Sequence, residues 1–283
     1  MAIVPIYLYG VNCVPEVGDG ALFHYTKFES FLNILDSMTL RSSPLCKMND
    51  LNEADLSELD WTSDFLMMCN AQDYVRTKCS VISFSQNYEV DFVCREGSNH
   101  PALWAHYADD SKGVCIVLDR DSLLEVNKNR LEHVFYKLED IEYTWNHSPS
   151  LKVSEEKYSS VSEFVQKNYR ELFFKKDIDW TNEGEARLFL ESPQEYLNIR
   201  GAIKHIVLGK KLVEDKSKMR KLLSIILSPS LRQYFTYHSF ASMQSSLGGY
   251  ITQDASSYIR ACLEEMLKDG EVDIASLNHN WVL

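Results

Sequence analysis

The order of strand-like and helix-like segments is the feature that most constrains how this chain can fold. Short apolar runs rich in β-branched residues predict buried strands at residues 21–25, 79–84, 113–118, 186–190 and 203–208, with a further strand or hairpin at 133–143. Apolar residues spaced three and four apart predict amphipathic helices at 28–35, 161–173, 219–226 and 258–266. Strands and helices do not alternate strictly. This order favours an α+β fold, with a mixed or antiparallel central sheet and flanking helices, over a doubly wound fold.

The predicted secondary structure changes after about residue 212. Two helix-like segments follow, and Pro229 separates them because proline breaks a helix. The sequence therefore predicts two domains: an α+β domain over residues 1–211 and a helical C-terminal extension packed on it over residues 212–283. No glycine-rich phosphate fingerprint follows a predicted strand, so a Rossmann or P-loop site is disfavoured.

Composition limits the compartment and the partners. The chain has 283 residues and a net charge of −12, a poor match to a nucleic-acid duplex, because nonspecific affinity comes mainly from neutralised phosphates. Its seven cysteines are an odd number without a Cys-x-x-Cys pair, which indicates a reducing compartment rather than a disulfide framework. The sequence has no membrane-length apolar stretch and no signal-peptide organisation. We therefore expect a cytoplasmic protein without a membrane partner.

A run of charged residues supplies the first candidate site. Glu183, Glu185 and Arg187 follow Trp180 at alternating positions. In a strand, side chains alternate with period two, so these three would point to one face. Three charges on one face predict a solvent cleft or a ligand. A salt bridge from Arg187 to the glutamates is the favoured structural alternative for that residue.

The run His24-Tyr25-Thr26 supplies the second candidate site. It lies at a predicted strand-to-helix junction, where imidazole and hydroxyl groups can meet free backbone N–H groups. Thr26 also precedes Glu29 by three residues, the pattern of a capping box. The Thr26 hydroxyl is therefore expected either to bind a ligand or to cap the following helix.

Other polar clusters are each ambiguous on their own. Asn49, Asp50 and Glu53 could form a site or cap a helix that begins near Leu51, and Trp104 and Tyr107 could be core aromatics. A metal site is disfavoured, because Cys94, His100 and His106 are evenly spaced by six residues, which matches no common zinc pattern. The remaining candidate residues are Ser83, Ser85 and His106.

Seven short motifs in a fixed order resemble a known bacterial family. They are Leu-Phe-His-Tyr-Thr, Met-Asn-Asp-x-x-Glu, Cys-x-x-Ile-Ser-Phe-Ser, Leu-Trp-Ala-His-Tyr-Ala, Lys-Gly-Val-Cys-Ile, Trp-x-x-Glu-x-Glu-x-Arg and Ile-Val-Leu-Gly. Together they resemble the domain-of-unknown-function family 2971 over roughly residues 21 to 210. This resemblance implies a shared fold and carries no established reaction.

A more remote resemblance is to the ADP-ribosyltransferase fold. In that fold a first strand brings His or Arg, a middle strand brings Tyr or a Ser-Thr-Ser motif, and a late strand brings Glu. Here His24, the Ser83-Phe84-Ser85 run and the Glu183-Gly184-Glu185 run occur in that order. The resemblance implies an ADP-ribosyltransferase-like domain that binds NAD and consumes it as a substrate.

The same resemblance implies roles for the individual residues. Glu185 would stabilise the oxocarbenium-like species formed when the nicotinamide–ribose bond breaks, and Glu183 would orient or deprotonate the acceptor. His24 would bind the adenosine-side ribose, Ser83 would hold Glu185, and Arg187 would pair with a phosphate or neutralise the glutamates. Tyr25, Trp104 or Tyr107 would stack on the nicotinamide ring, and Thr26 and Ser85 complete the cofactor-binding set.

The resemblance thus implies an NAD-consuming enzyme that transfers ADP-ribose to a macromolecule or hydrolyses NAD. The acceptor would be a protein or a nucleic acid, and a bacterial toxin or antiphage role would follow. Two alternatives stay open. One is a non-catalytic module that binds a nucleotide or another anion and signals through its helical tail. The other is a metal-dependent nuclease or hydrolase built on His24, Asp50 and Glu53.

Overall fold

A computed structural model describes residues 20–47, 56, 65–90, 93–95, 97–145, 158–235, 240–246, 249–273, 277 and 281. The strands are β1 (Ala21–Thr26), β2 (Thr39–Arg41), β3 (Ser43–Pro44), β4 (Ser80–Ser85), β5 (Tyr88–Val90), β6 (Val93–Arg95), β7 (Val114–Asp119), β8 (Tyr136–Asp140), β9 (Glu142–Thr144), β10 (Lys175–Asp177), β11 (Glu185–Leu190), β12 (Tyr196–Asn198), β13 (Ile203–Leu208), β14 (Phe240–Ser246) and β15 (Gly249–Asp254). The α-helices are α1 (Phe28–Ser37), α2 (Phe65–Lys78), α3 (Pro101–His106), α4 (Arg120–Val126), α5 (Lys128–Leu131), α6 (Val161–Phe173), α7 (Lys210–Val213), α8 (Lys216–Ile226) and α9 (Ser256–Lys268), and short 3-10 helices span Leu45–Lys47 and Ile178–Glu183.

These elements divide into two compact units. The first comprises the described parts of Met1–Thr39, Gln86–Leu123 and Ile199–Leu283, and the second those of Leu40–Ser85 and Leu124–Asn198. The whole of the segment after residue 199 belongs to the first unit. The predicted division between residues 211 and 212 therefore does not coincide with the division between these units.

The first unit contains a sheet with the strand order β15-β14-β13-β7-β1. Its pairs are antiparallel except for β13 and β14, which run parallel. Two of these strands, β14 and β15, lie in the segment that was predicted to be a helical extension, and that prediction is corrected here. The segment is rich in Ser, Gln and Gly, so its strand character depends on pairing with β13 and not on an apolar run.

Helix α1 shows how the sequence builds the first unit. Its apolar residues Phe28, Phe31, Leu32 and Leu35 are buried on one stripe, as the spacing predicted. The predicted capping role of Thr26 is wrong, because β1 continues through Thr26, and Lys27 is the N-cap without a side-chain cap hydrogen bond.

The second unit contains a sheet in which β4 pairs with β3 and β11, and β11 pairs with β8, all antiparallel. Helices α2 and α6 pack on its apolar cluster, in which the Phe173 and Phe189 rings stack with centroids 4.3 Å apart. The strand or hairpin predicted at 133–143 is two strands with different partners, since β8 pairs with β11 and β9 runs parallel to β10.

The predicted α+β class, with a mainly antiparallel sheet and several helices, is confirmed. Each strand predicted from an apolar run is present: β1, β4, β7, β11 and β13. Within the described part of the chain, no helix has the length and apolar character needed to cross a membrane.

Candidate functional site

The residues predicted to form one site are distributed over both units. The first unit contains His24, Tyr25, Thr26, Trp104, His106 and Tyr107. The second unit contains Ser83, Ser85, Glu183, Glu185 and Arg187. The predicted cluster of Asn49, Asp50 and Glu53 lies outside the described residues.

In the first unit, Tyr25 and Trp104 are core aromatics. The Tyr25 hydroxyl donates to the Gly97 carbonyl at 2.6 Å, and the Trp104 indole N–H donates to the Ser98 carbonyl at 2.8 Å. Their rings meet edge to face with centroids 5.2 Å apart, and Trp104 is only 1% exposed. Buried rings with satisfied polar groups agree with the core alternative and leave little ring surface for a nicotinamide.

The rest of the His-Tyr-Thr run does not form one polar surface. Side chains alternate along a strand, so His24 and Thr26 point to the opposite face of the sheet from Tyr25. His24 is half-buried and Thr26 is buried. After α3, Tyr107 packs half-buried against the same apolar cluster as Tyr25, whereas His106 is exposed.

We expect Tyr25→Phe to lower the free energy of unfolding by about 1 kcal/mol, because it removes one buried hydrogen bond. NAD affinity, measured by calorimetry, should not change. Tyr258→Phe on the exposed surface of the same unit is the control and should change neither quantity. A Tyr25→Phe variant that keeps its stability but binds NAD more weakly would contradict the assignment of Tyr25 to the core.

In the second unit, Glu185 and Arg187 form a buried two-point ion pair. Both lie on one face of β11, as the period-two spacing predicted. Arg187 Nε and Nη2 donate to the two Glu185 carboxylate oxygens at 2.7 and 3.0 Å, and Arg187 Nη1 donates to the Phe173 carbonyl at 2.8 Å. The side chains are 3% and 1% exposed. Arg187 therefore neutralises Glu185, the second of the two roles considered for it.

Glu183 is not on the strand, and that part of the prediction is wrong. It ends the 3-10 helix Ile178–Glu183, and Gly184 follows as its C-cap with φ +50°. This left-handed conformation is one that glycine adopts without steric cost. β11 therefore begins only at Glu185, and the turn at Gly184 breaks the period-two alternation that would have aligned Glu183 with it.

Lys176 on β10 nevertheless brings the two glutamates together. Its ammonium lies 2.8 Å from Glu183 Oε2 and 2.8 Å from Glu185 Oε2. The same ammonium lies 5.3 Å from the centroid of the half-buried Trp180 ring, a cation–π distance. The site thus has two carboxylates that share one ammonium, with an aromatic ring beside it.

Tyr143 on β9 is a further member of this site. Its hydroxyl oxygen accepts the Glu185 backbone N–H at 2.8 Å, and β9 pairs with β10 so that Tyr143 is the partner of Lys176. Neither Tyr143 nor Lys176 was predicted from the sequence. Trp180 was noticed only as part of a motif, because its proximity to Lys176 depends on the turn that follows β10.

The serines of β4 also differ from the expected arrangement. The register places Ser85 opposite Glu185 and Ser83 opposite Arg187. Ser85 Oγ donates to the Glu183 carbonyl at 2.9 Å. Ser85 therefore helps to fix the turn that carries Glu183. Ser83 is the register partner of Arg187 and not of Glu185.

The electrostatics of the cluster keep Glu185 ionised. Burial by itself would raise the pKa of Glu185, but the nearby charges of Arg187 and Lys176, and their hydrogen bonds, lower that pKa to about 2. Burial raises the pKa of the Tyr143 phenol above its ordinary value. At neutral pH, Glu183 and Glu185 balance Lys176 and Arg187, so the four side chains carry no net charge.

Two buried cysteines in the described residues are poor nucleophiles. Burial raises the pKa of the Cys79 and Cys115 thiols, which keeps both protonated and unreactive at neutral pH. Within the described residues, no group of three or more His, Cys, Asp or Glu side chains could hold a metal ion.

Comparisons with known proteins bear on the family alone. No curated protein and no solved structure matches the chain significantly. A family model does match over residues 103–188. That segment holds three of the seven motifs on which the resemblance rests, including the Trp180 to Arg187 run. Tyr143, Lys176, Glu183 and Glu185 also lie in it. Residues 103–188 thus match the family described as "Protein of unknown function (DUF2971)".

Proposed function

We propose that this protein is an NAD-consuming, ADP-ribosyltransferase-like enzyme, and that its chemistry occurs at the Glu183–Lys176–Glu185 cluster of the second unit. The observation that carries the proposal is the pair of carboxylates held by one ammonium at 2.8 Å each. Cleavage of the nicotinamide–ribose bond develops positive charge on the ribose, as glycoside cleavage does. A fixed, ionised carboxylate stabilises that charge.

The proposed mechanism gives the two glutamates different roles from those expected. Both Glu185 oxygens are held by Arg187 and Lys176, and the side chain is 3% exposed. Glu183 is 14% exposed, so a substrate can reach its carboxylate. In the proposed mechanism, Glu183 faces the ribose, whereas Glu185 is a positioning residue that anchors Lys176 and, through it, Glu183.

Trp180 supports a substrate with an aromatic ring. Its half-buried indole borders the ammonium that holds both glutamates, and an indole face is a good stacking surface for a planar ring. The acceptor of the ADP-ribose would be a protein, a nucleic acid or water. The net charge of −12 favours a protein or water over a nucleic-acid duplex, because nonspecific duplex affinity comes mainly from neutralised phosphates. A toxin or antiphage effector would use a macromolecular acceptor.

A binding module without turnover is the second candidate. It is favoured by the full pairing of Glu185 and by the zero net charge of the four ionised side chains. A neutral, fully paired cluster weakens the field that a carboxylate exerts on a developing cation. Such a module would bind NAD or another nucleotide and release no nicotinamide.

Glu183→Gln should lower the rate of nicotinamide release from NAD by about a hundredfold, since it removes the charge that faces the ribose. Calorimetric titration with NAD and mass spectrometry of released nicotinamide give binding and turnover separately. Glu142→Gln, an exposed carboxylate on β9 of the same unit, is the matched control and should keep the wild-type rate.

The same two measurements decide between the candidates. Binding with release that depends on Glu183 supports the enzyme. Binding without release, in the wild type, supports the module. If the wild type neither binds NAD at millimolar concentration nor releases nicotinamide, the NAD-consuming function is rejected.

A further inference from the structure

Strand β8 is the last strand of the sheet in the second unit. It pairs with β11 on one side, and no other strand in the described part of the chain pairs with its other side. The Phe135 carbonyl, just before β8, accepts the Glu191 N–H at 2.9 Å. Because the backbone groups of successive residues point to opposite sides of a strand, those of Tyr136 and Leu138 point away from β11. An edge of this kind is a template for a further strand.

Two opposite charges flank Leu138 on one face of this edge. The Lys137 ammonium lies 5.2 Å from the centroid of the Tyr169 ring, a cation–π distance. The Glu139 carboxylate accepts the Tyr169 hydroxyl at 2.7 Å and the Arg170 Nε–H at 2.8 Å. Since Tyr169 and Arg170 belong to α6, both charges are held in place on the side of β8 that faces α6.

A second copy of β8 complements this pattern of charges. A lysine on a sheet edge usually discourages pairing with another strand. When two copies of β8 pair antiparallel about Leu138, however, Lys137 of each chain lies opposite Glu139 of the other. The backbones of the two Leu138 residues then exchange two hydrogen bonds. The Lys137–Glu139 pairs fall at the non-hydrogen-bonded positions, where side chains approach most closely and the Cα atoms are about 4.5 Å apart.

The same charges select this register over its neighbours. The outward backbone groups repeat every second residue, so an antiparallel pair can also be centred on Lys137 or on Glu139. The first of these registers places two ammonium groups directly opposite each other, and the second places two carboxylates opposite each other. Like charges in opposite positions destabilise a strand pair. The pairing centred on Leu138 is therefore the favoured one of the three.

We propose that this protein self-associates by antiparallel pairing of β8 with β8 of a second copy, centred on Leu138. The sheets of the two second units become one continuous sheet. A contact of five residues per chain is small for a stable interface, so the dimer is weak and depends on concentration. Salt weakens it further, because the cross-strand pairs lie near the surface. The pairing does not involve the Glu183–Lys176–Glu185 cluster and does not depend on the proposed reaction.

Sedimentation equilibrium of the full chain tests the association, from low micromolar to near-millimolar concentration and at low and high salt. The expected result is a monomer–dimer equilibrium that shifts toward the monomer at high salt. A wild type that is monomeric at every concentration overturns the proposal and leaves the edge to an extended segment of a different protein.

Charge-reversal variants test the register. Lys137→Glu leaves two carboxylates on each edge, and Glu139→Lys leaves two ammonium groups, so each variant alone should dimerise at least about tenfold more weakly than the wild type. An equimolar mixture of the two variants brings opposite charges together again and should recover the association. Lys128→Glu, an exposed change of the same size on α5 of the same unit, is the matched control and should dimerise like the wild type.

A double variant separates the charge pairing from other effects of the substitutions. Lys137→Glu combined with Glu139→Lys reverses the order of the charges but keeps them complementary across the dimer, so it should dimerise like the wild type. Circular dichroism checks that each variant is folded, since Glu139→Lys also removes the contact with Arg170. Reversal variants that dimerise as well as the wild type overturn the proposal. A mixture and a double variant that both associate no better than the single variants overturn it too.

Discussion

Replacement of Arg187 by Met is expected to destabilise the second unit by about 3–5 kcal/mol, the usual cost of removing one partner of a buried ion pair. Glu185 would keep its charge and its burial at 3% exposure, but it would lose both guanidinium hydrogen bonds. Lys176 alone would remain to pair with it. The Phe173 carbonyl would lose its donor as well. Urea denaturation at neutral pH measures the effect.

Two further variants show whether charge burial is the cause. Arg170→Met is the matched control, because Arg170 also pairs with a glutamate, Glu139, but is 70% exposed, and solvent-exposed pairs contribute little. The double variant Glu185→Leu with Arg187→Met removes both charges and should recover most of the lost stability, since apolar replacement of a buried pair is often neutral. A double variant no more stable than Arg187→Met would contradict this explanation.

The sequence predicted the strands and helices that are determined by local residue patterns. The strands β1, β4, β7, β11 and β13 coincide with apolar runs, and the buried stripe of α1 follows from the spacing of its phenylalanine and leucine residues. The placement of Glu185 and Arg187 on one face also followed, because alternation holds within any regular strand. The alternation does not include Glu183, because the left-handed turn at Gly184 separates it from the strand, which begins at Glu185.

The parts of the site that the sequence did not predict depend on pairings between distant segments. Lys176 reaches Glu185 only because β10 lies beside β9 and leads into the 3-10 helix that ends at Glu183. Tyr143 joins the site through the same pairing. The same limit applies to Tyr25, whose hydroxyl donates to Gly97, a partner far along the chain. Neither register nor a remote partner can be read from local patterns.

The strands β14 and β15 illustrate the same limit for the fold. Strand β14 contains no β-branched residue, so its local strand propensity is weak, and its parallel pairing with β13 supplies what the local sequence lacks. Pairing of this kind is a tertiary contribution, which explains why the segment was expected to be helical along with its neighbours α8 and α9.

The stability of the protein should also fall steeply in acid, and Glu185 should account for about 3 kcal/mol of that loss. Its folded-state pKa of about 2 lies below its ordinary value of 4.5. A carboxylate with a lowered pKa stabilises the folded state above its unfolded pKa, and that contribution is lost as the pH falls through the folded pKa. The loss attributable to Glu185 is therefore expected between about pH 5 and pH 2.

Urea denaturation of the wild type and Glu185→Gln across this range isolates the contribution. At neutral pH the variant should be much less stable, because Arg187 and Lys176 lose the charge they pair with. As Glu185 becomes protonated in the wild type it comes to resemble glutamine, so the difference in unfolding free energy should shrink toward low pH. Asp119, whose pKa is also lowered to about 2 despite burial, titrates in both proteins and cancels from that difference. Glu142→Gln, an exposed change in the same unit, should track the wild type throughout. A wild-type minus Glu185→Gln difference that stays constant from neutral pH to about pH 2 would show that Glu185 is not held ionised by Arg187 and Lys176.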